Sequence, residues 1–116
     1  MRTYLLHVLI ISFLFLLAPT AQVVSYAGEL EDAKEEVRKN PDFAWAHGNL
    51  GLAYSKLGRH EEAIESYKQV LRIDPDHATA HYCLGNAYSK LGMYKEAIKS
   101  YKQAIWIDPD DATAHY

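Results

Sequence analysis

The chain has 116 residues, of which 12 are Lys or Arg and 15 are Asp or Glu, for a formal net charge of −3. That length holds one small domain at most, and a mildly acidic chain with no Lys/Arg-rich run excludes a nucleic-acid binder, whose partner demands a basic surface. Cys83 is the only cysteine, so an intramolecular disulfide is excluded too.

Met1 and Arg2 precede an apolar run, YLLHVLIISFLFLLA, from Tyr4 to Ala18, which Pro19 closes and Ser25-Tyr26-Ala27 follows. A positive start, a hydrophobic stretch and an A-x-A-like site predict a secretory signal peptide over residues 1–27, cut after Ala27. Cleavage removes Arg2 and no acid, which makes the mature chain more acidic still. The alternative is an anchor retained over residues 4–24, near the lower limit for a membrane span. A buried helix is a third reading, disfavoured because Leu5 to Leu17 has no polar face. Export to the periplasm or beyond the cell rests on this leader alone, and membrane contact is expected only if the leader stays.

Next comes GELEDAKEEVRKN, Gly28 to Asn40, with Leu30, Ala33 and Val37 as a thin apolar stripe and Asn40-Pro41 as its end. Beyond it the sequence repeats. A shift of 34 residues lays Ala44–His77 on Ala78–Asp111 with about two-thirds of positions identical, a period typical of helix-turn-helix repeats. In each copy the apolar residues follow a 3.6-residue period twice. Ala46, Leu50, Ala53, Tyr54 and Leu57 form the first stripe, which Gly58 ends. Ala63, Ile64, Tyr67, Val70 and Leu71 form the second, which Asp74-Pro75 ends because proline disfavours helical geometry in the residue before it. Gly51 and Gly85 sit inside the first helices, where glycine costs about 1 kcal/mol relative to alanine. Their presence predicts a close approach by another helix. The phrase IDPDHATAHY from Ile73 returns as IDPDDATAHY from Ile107, because the junction between units and the start of the next helix must be rebuilt at each step of an array.

His47-x-x-Leu50-Gly51-x-x-Tyr54, then Ala63-x-x-x-Tyr67 and Pro75, resembles the tetratricopeptide repeat (TPR) pattern; Leu84, Gly85, Tyr88, Ala97, Tyr101 and Pro109 restate it. The resemblance implies an all-α fold of stacked antiparallel helix pairs, a TPR-type α-solenoid wound as a short right-handed superhelix. Residues 44–77 and 78–111 are then units 1 and 2. Residues 28–41 are a half-unit capping helix, and 112–116 begin a truncated third unit. Two departures stand out. His47, His81 and His115 occupy a slot where the family usually has tryptophan, which predicts looser local packing. Tyr67 and Tyr101 replace phenylalanine, a mild change.

Comparing the copies separates shared from free positions. Trp45, Gly48, Asn49 and Leu52 differ from Thr79, Tyr82, Cys83 and Asn86; within each copy they fall at i, i+3, i+4 and i+7, one helical stripe distinct from the packing stripe. In proteins resembling this family, first helices line a concave surface that holds extended peptides or partner helices. Periodicity and resemblance together nominate Trp45, Asn49, Leu52, Tyr82, Cys83 and Asn86 as a peptide- or partner-binding surface, with Lys56 and Lys90 one turn further on. Aromatic rings and side-chain amides suit that role. The competing reading has Trp45 packing on Phe43 and Tyr82 on its neighbours. Some relatives clamp a terminal carboxylate with lysines, but Gly48 and Tyr82 hold those positions here. Arg72 becomes Trp106, which either exposes an indole or covers the open end of the array.

Catalysis and metal binding are not expected. His77 and His81 are four apart, but no acidic ligand completes a site at helical spacing, and His81 belongs to the one-per-unit histidine set. Cys83 lacks a base and an orienting partner in sequence, and no phosphate loop, haem site or nucleophile elbow is present. The chain reads as a non-catalytic, cofactor-free interaction module that is exported and binds a protein or peptide. Its last helix leaves Ile98, Tyr101 and Ile105 uncovered, so the chain is expected either to be a fragment of a longer array or to self-associate through that face. The rival reading is the substrate-selecting arm of a larger enzyme such as a glycosyltransferase; a tethered assembly factor is a third.

Overall fold

The computed structural model describes residues 2–111, and its regular elements over that span are all helices: α1 (Arg2–Lys39), α2 (Ala44–Lys56), α3 (His60–Ile73), α4 (Ala78–Lys90) and α5 (Tyr94–Ile107). Each helix packs chiefly on its neighbours in the chain, α1 on α2, α2 on α3, α3 on α4 and α4 on α5. This is an all-α solenoid. The expected start of a third unit at 112–116 lies outside the described residues.

The division anticipated at Ala27 leaves no mark on the backbone, because α1 runs from Arg2 to Lys39 without a break. Its second half is rich in good helix formers, and Glu31 and Lys34 (3.2 Å) and Glu35 and Arg38 (2.5 Å) pair at i, i+3 along its exposed side. Gly28 alone is too weak a breaker to interrupt such a segment. No helix among the described residues is long and apolar enough to cross a membrane.

Both helix pairs turn in the same way. Gly58 and Gly92 take φ of +72° and +74°, the left-handed conformation that ends a helix cheaply only at glycine. The Gly58 N–H donates to the Ser55 carbonyl at 3.0 Å and the Arg59 N–H to the Tyr54 carbonyl at 2.9 Å, satisfying two carbonyls that α2 would otherwise leave open. Gly92 and Met93 do the same for Ser89 and Tyr88. This paired pattern is the Schellman motif.

The junctions between units are closed by histidine. Nε2 of His47 donates to the Pro41 carbonyl at 2.6 Å, and Nε2 of His81 to the Pro75 carbonyl at 3.0 Å. At His47 the loosening expected of histidine in the tryptophan slot does not occur, since the ring is buried and ties the start of α2 back to the preceding turn, whereas His81 is half-buried and His115 lies outside the described residues. His77 caps α4, its Nδ1 accepting from the Ala80 N–H at 3.1 Å.

Both packing stripes face inward. Ala63, Ile64 and Tyr67 of α3 bury themselves with Leu84 and Ala87 of α4, and Tyr54, Leu71, Cys83 and Tyr88 pack against that cluster. The close approach predicted at the helix glycines is made by aromatic rings of the following helix. A Cβ at Gly51 would lie 2.5 Å from Tyr67 Cε1, and one at Gly85 2.7 Å from Tyr101 Cε1. At the far end the same residue types lack a cover: Ile64 is 6% exposed, whereas its counterpart Ile98 is 53% exposed.

Candidate functional site

The nominated stripe of α2 forms a ridge between two troughs. Trp45, Asn49 and Leu52 line both, and Trp45 keeps 60% of its surface exposed. On one side, between α2 and α4, two adjoining hollows of about 220 Å³ each share Leu52, Tyr67 and Cys83. The first is floored by Gly48, Val70 and Ala80; the second reaches Asn86 and Lys90. On the other side, between α1 and α2, a wider trough of about 370 Å³ is walled by Glu29, Asp32 and Glu36 of α1.

Within this frame the nominated residues have different duties. The Trp45 ring lies 5.9 Å from that of Phe43 and tilted against it, so it contacts its neighbour and still faces outward. Lys56 is engaged: Nζ donates to Glu29 at 2.7 Å and stands 5.8 Å over the Tyr26 ring, and the carboxylate pushes its pKa up. Lys90 is exposed at the end of the α2–α4 trough, and its α3 counterpart to Glu29 is Ala63, which offers no such partner. Tyr82 leans on Tyr101, centroids 5.8 Å apart, outside the hollows that the other residues line. Asn86 accepts a hydrogen bond from the Tyr101 hydroxyl through its Oδ1, leaving its amide N–H groups for another acceptor. Cys83 is half-buried beside Tyr67, and burial pushes its thiol pKa up, the reverse of an activated nucleophile.

Tyr67 forms the floor where the two hollows meet. Burial drives its phenol pKa up to about 12, a shift that the Ser55 hydroxyl at 3.3 Å partly offsets. The histidines that might have held a metal each have a structural task, His77 at the cap and His81 at the turn. Sequence reasoning did not find the acidic wall of α1. Its signal was available in the register: one repeat length on, Glu29, Asp32 and Glu36 correspond to Ala63, Ser66 and Val70, all buried.

Stacked helix pairs whose first helices carry a lined, partly open surface define a helical-repeat protein. Three family models match: TPR repeat over residues 56–92, and two Tetratricopeptide repeat models over 78–111 and 33–65. The chain belongs to the tetratricopeptide repeat family. Among solved structures it is similar to the Arabidopsis OM64 TPR domain (TM-score 0.75, 21% identity, 84% of this chain and 81% of that one). It is also similar to MamA of AMB-1 (TM-score 0.70, 30% identity, 76% and 52%). A third is YrrB, described as a TPR protein with an unusual peptide-binding site (TM-score 0.76, 25% identity, 82% and 49%). The chain spans about half the length of the MamA and YrrB chains. A search of curated proteins found no match.

Proposed function

We propose that this protein binds an extended peptide or partner segment along the ridge and troughs of α2 and α4, and that it acts by binding alone. The observation that carries the reading is the pair of adjoining hollows between α2 and α4, which share Leu52, Tyr67 and Cys83 and are lined by Trp45 in the one and by Asn86 and Lys90 in the other. Their floor is apolar and their far end holds a lysine with no carboxylate at the position that engages Lys56, an arrangement suited to side chains of alternating character on an extended strand. The peptide-binding description of YrrB supports the same use. A pull-down with the full chain, repeated with Trp45→Ala and Asn86→Ala, tests it. Loss of the captured partner in both variants is expected; retention of every partner in both refutes the trough assignment.

The leader reading belongs to this proposal. Export with a cut after Ala27 is expected from the sequence of residues 1–27, and amino-terminal sequencing of the protein from its host checks it: a start at Gly28 supports export and rules out a retained anchor. A second contact, self-association through Ile98 and Tyr101 of α5, draws support from the uncovered Ile98.

A further inference from the structure

The helices α1, α3 and α5 share a register, and one stripe outside their packing faces changes character along the stack. Counted at i, i+4, i+7 and i+11, it reads Ala27, Glu31, Lys34 and Arg38 on α1 and Glu61, Glu65, Lys68 and Arg72 on α3. In both, the acid at the second position pairs with the lysine at the third, Glu31 with Lys34 at 3.2 Å and Glu65 with Lys68 at 3.5 Å. On α5 the same positions hold Lys95, Lys99, Lys102 and Trp106. The pairing acid is gone.

All four of these side chains are exposed, and among the described residues none of the three lysines has an ion-pair partner. Glu96, the only acid of α5, lies off the stripe. The start of the helix shifts in the same sense, with exposed Met93 and Tyr94 where α3 has Arg59 and His60. Solvation accounts for surface lysines, which are exposed by default. It does not account for an indole set in line with them in place of an arginine.

Unpaired ammonium groups in a row call for a row of anions. The helix α5 packs chiefly on α4, and the hollow between the two is bordered by Lys99 but not by Lys95, Lys102 or Trp106. The stripe therefore gives an extended peptide no second wall, whereas a bilayer surface is flat and needs none. Lysines beside an aromatic ring suit anionic headgroups, the ammonium groups on the charges and the ring at the level of the interface. The net charge of −3 has little reach at such a contact, because charges are screened over about 8 Å at physiological salt.

We propose that the stripe Lys95, Lys99, Lys102 and Trp106 docks α5 on an anionic lipid surface. This contact uses neither the hollows between α2 and α4 nor residues 1–27.

The test uses the full chain carrying Trp45→Phe, which leaves Trp106 as the only indole. Vesicles of phosphatidylcholine alone, and of phosphatidylcholine with about 30% phosphatidylserine, are titrated against its fluorescence at about 20 mM and about 300 mM salt. The apolar run of residues 4–18 can carry the chain to either vesicle, so the readout is the emission of Trp106 itself and not total binding. A blue shift is expected with the anionic vesicles and not with the neutral ones. Each lysine at such a surface is worth about fivefold in partitioning. Lys95→Gln combined with Lys99→Gln, or the higher salt, should therefore raise the lipid needed for half the shift by about tenfold or more. Lys34→Gln combined with Lys68→Gln, which removes lysines already paired with acids, should leave it within about twofold. Unshifted emission with anionic vesicles overturns the proposal, as does an equal shift with neutral ones or an equal loss in the control pair. A shift with a soluble polyglutamate peptide and none with vesicles would assign the stripe to an acidic polypeptide and overturn the lipid assignment.

Discussion

At Gly48 and Gly51, three residues apart on α2, the same substitution has opposite consequences. Alanine gains about 1 kcal/mol of helix propensity at either position. At Gly48 the new Cβ meets only Val70 Cγ2 at 3.9 Å, ordinary contact, so Gly48→Ala should raise stability by up to about 1 kcal/mol. At Gly51 it would lie 2.5 Å from Cε1 of the buried Tyr67 ring, so the ring or the helix must shift. Overpacking of this kind costs about 1–3 kcal/mol and outweighs the propensity gain. Urea midpoints of the two variants against the parent provide the comparison. Tyr67 also carries a pH signature. Its folded pKa, about 12, lies above the ordinary phenol value of 10.0, so the fold holds the proton more tightly than the unfolded chain does. The corresponding stability, at most about 2–3 kcal/mol, is fully present below pH 10 and is lost as pH rises toward 12. Thermal melts between pH 9 and pH 12 should show that fall, and Tyr67→Phe should make it shallower.

At the scale of the helices, the junction between units sets the balance. His77 caps α4 with a ring nitrogen, whereas the next unit has Asp111 at that register. A carboxylate is a better cap and favours the positive end of the helix, so His77→Asp should stabilise by about 0.5–1 kcal/mol, read as a higher Tm. Replacing His47 by leucine should go the other way, by about 1–3 kcal/mol, because it strands the Pro41 carbonyl. How far the elements were legible follows from the same contrast. Local signals, a 3.6-residue stripe followed by Gly58 or by Asp74-Pro75, locate α2 to α5, since each is fixed by residues within a turn or two of itself. The histidine latch is also local, spanning six residues, but was misjudged because identity alone does not say which carbonyl a ring will meet. The ion pair between Glu29 and Lys56 joins residues 27 apart and has no local trace. The acidic wall, too, reads in isolation as a solvated half-helix; only its register against buried Ala63, Ser66 and Val70 marks it as unusual.

For the whole molecule, the two ends of the stack differ in kind. One is closed by α1, with Leu30 buried beneath it; the other presents Ile98 and a Trp106 that is 79% exposed. Among the described residues the Trp106 indole, at the register of Arg72, is exposed. A lysine at Ile64 would have to enter the core and should abolish cooperative folding, while Ile98→Lys should change stability by less than about 0.5 kcal/mol. The same Ile98→Lys variant tests association. Sedimentation equilibrium is expected to show the parent chain self-associating with rising concentration and the variant remaining monomeric.

The fastenings of the joint between α3 and α4 lie inside the phrase IDPDHATAHY. Pro75 supplies the acceptor, His77 the cap and His81 the donor, all between Ile73 and Tyr82. A joint that brings its own clasp asks nothing of the units it couples, so modules can be spliced in or dropped by recombination without redesigning their neighbours. Arrays of differing length are thus a short genetic step apart.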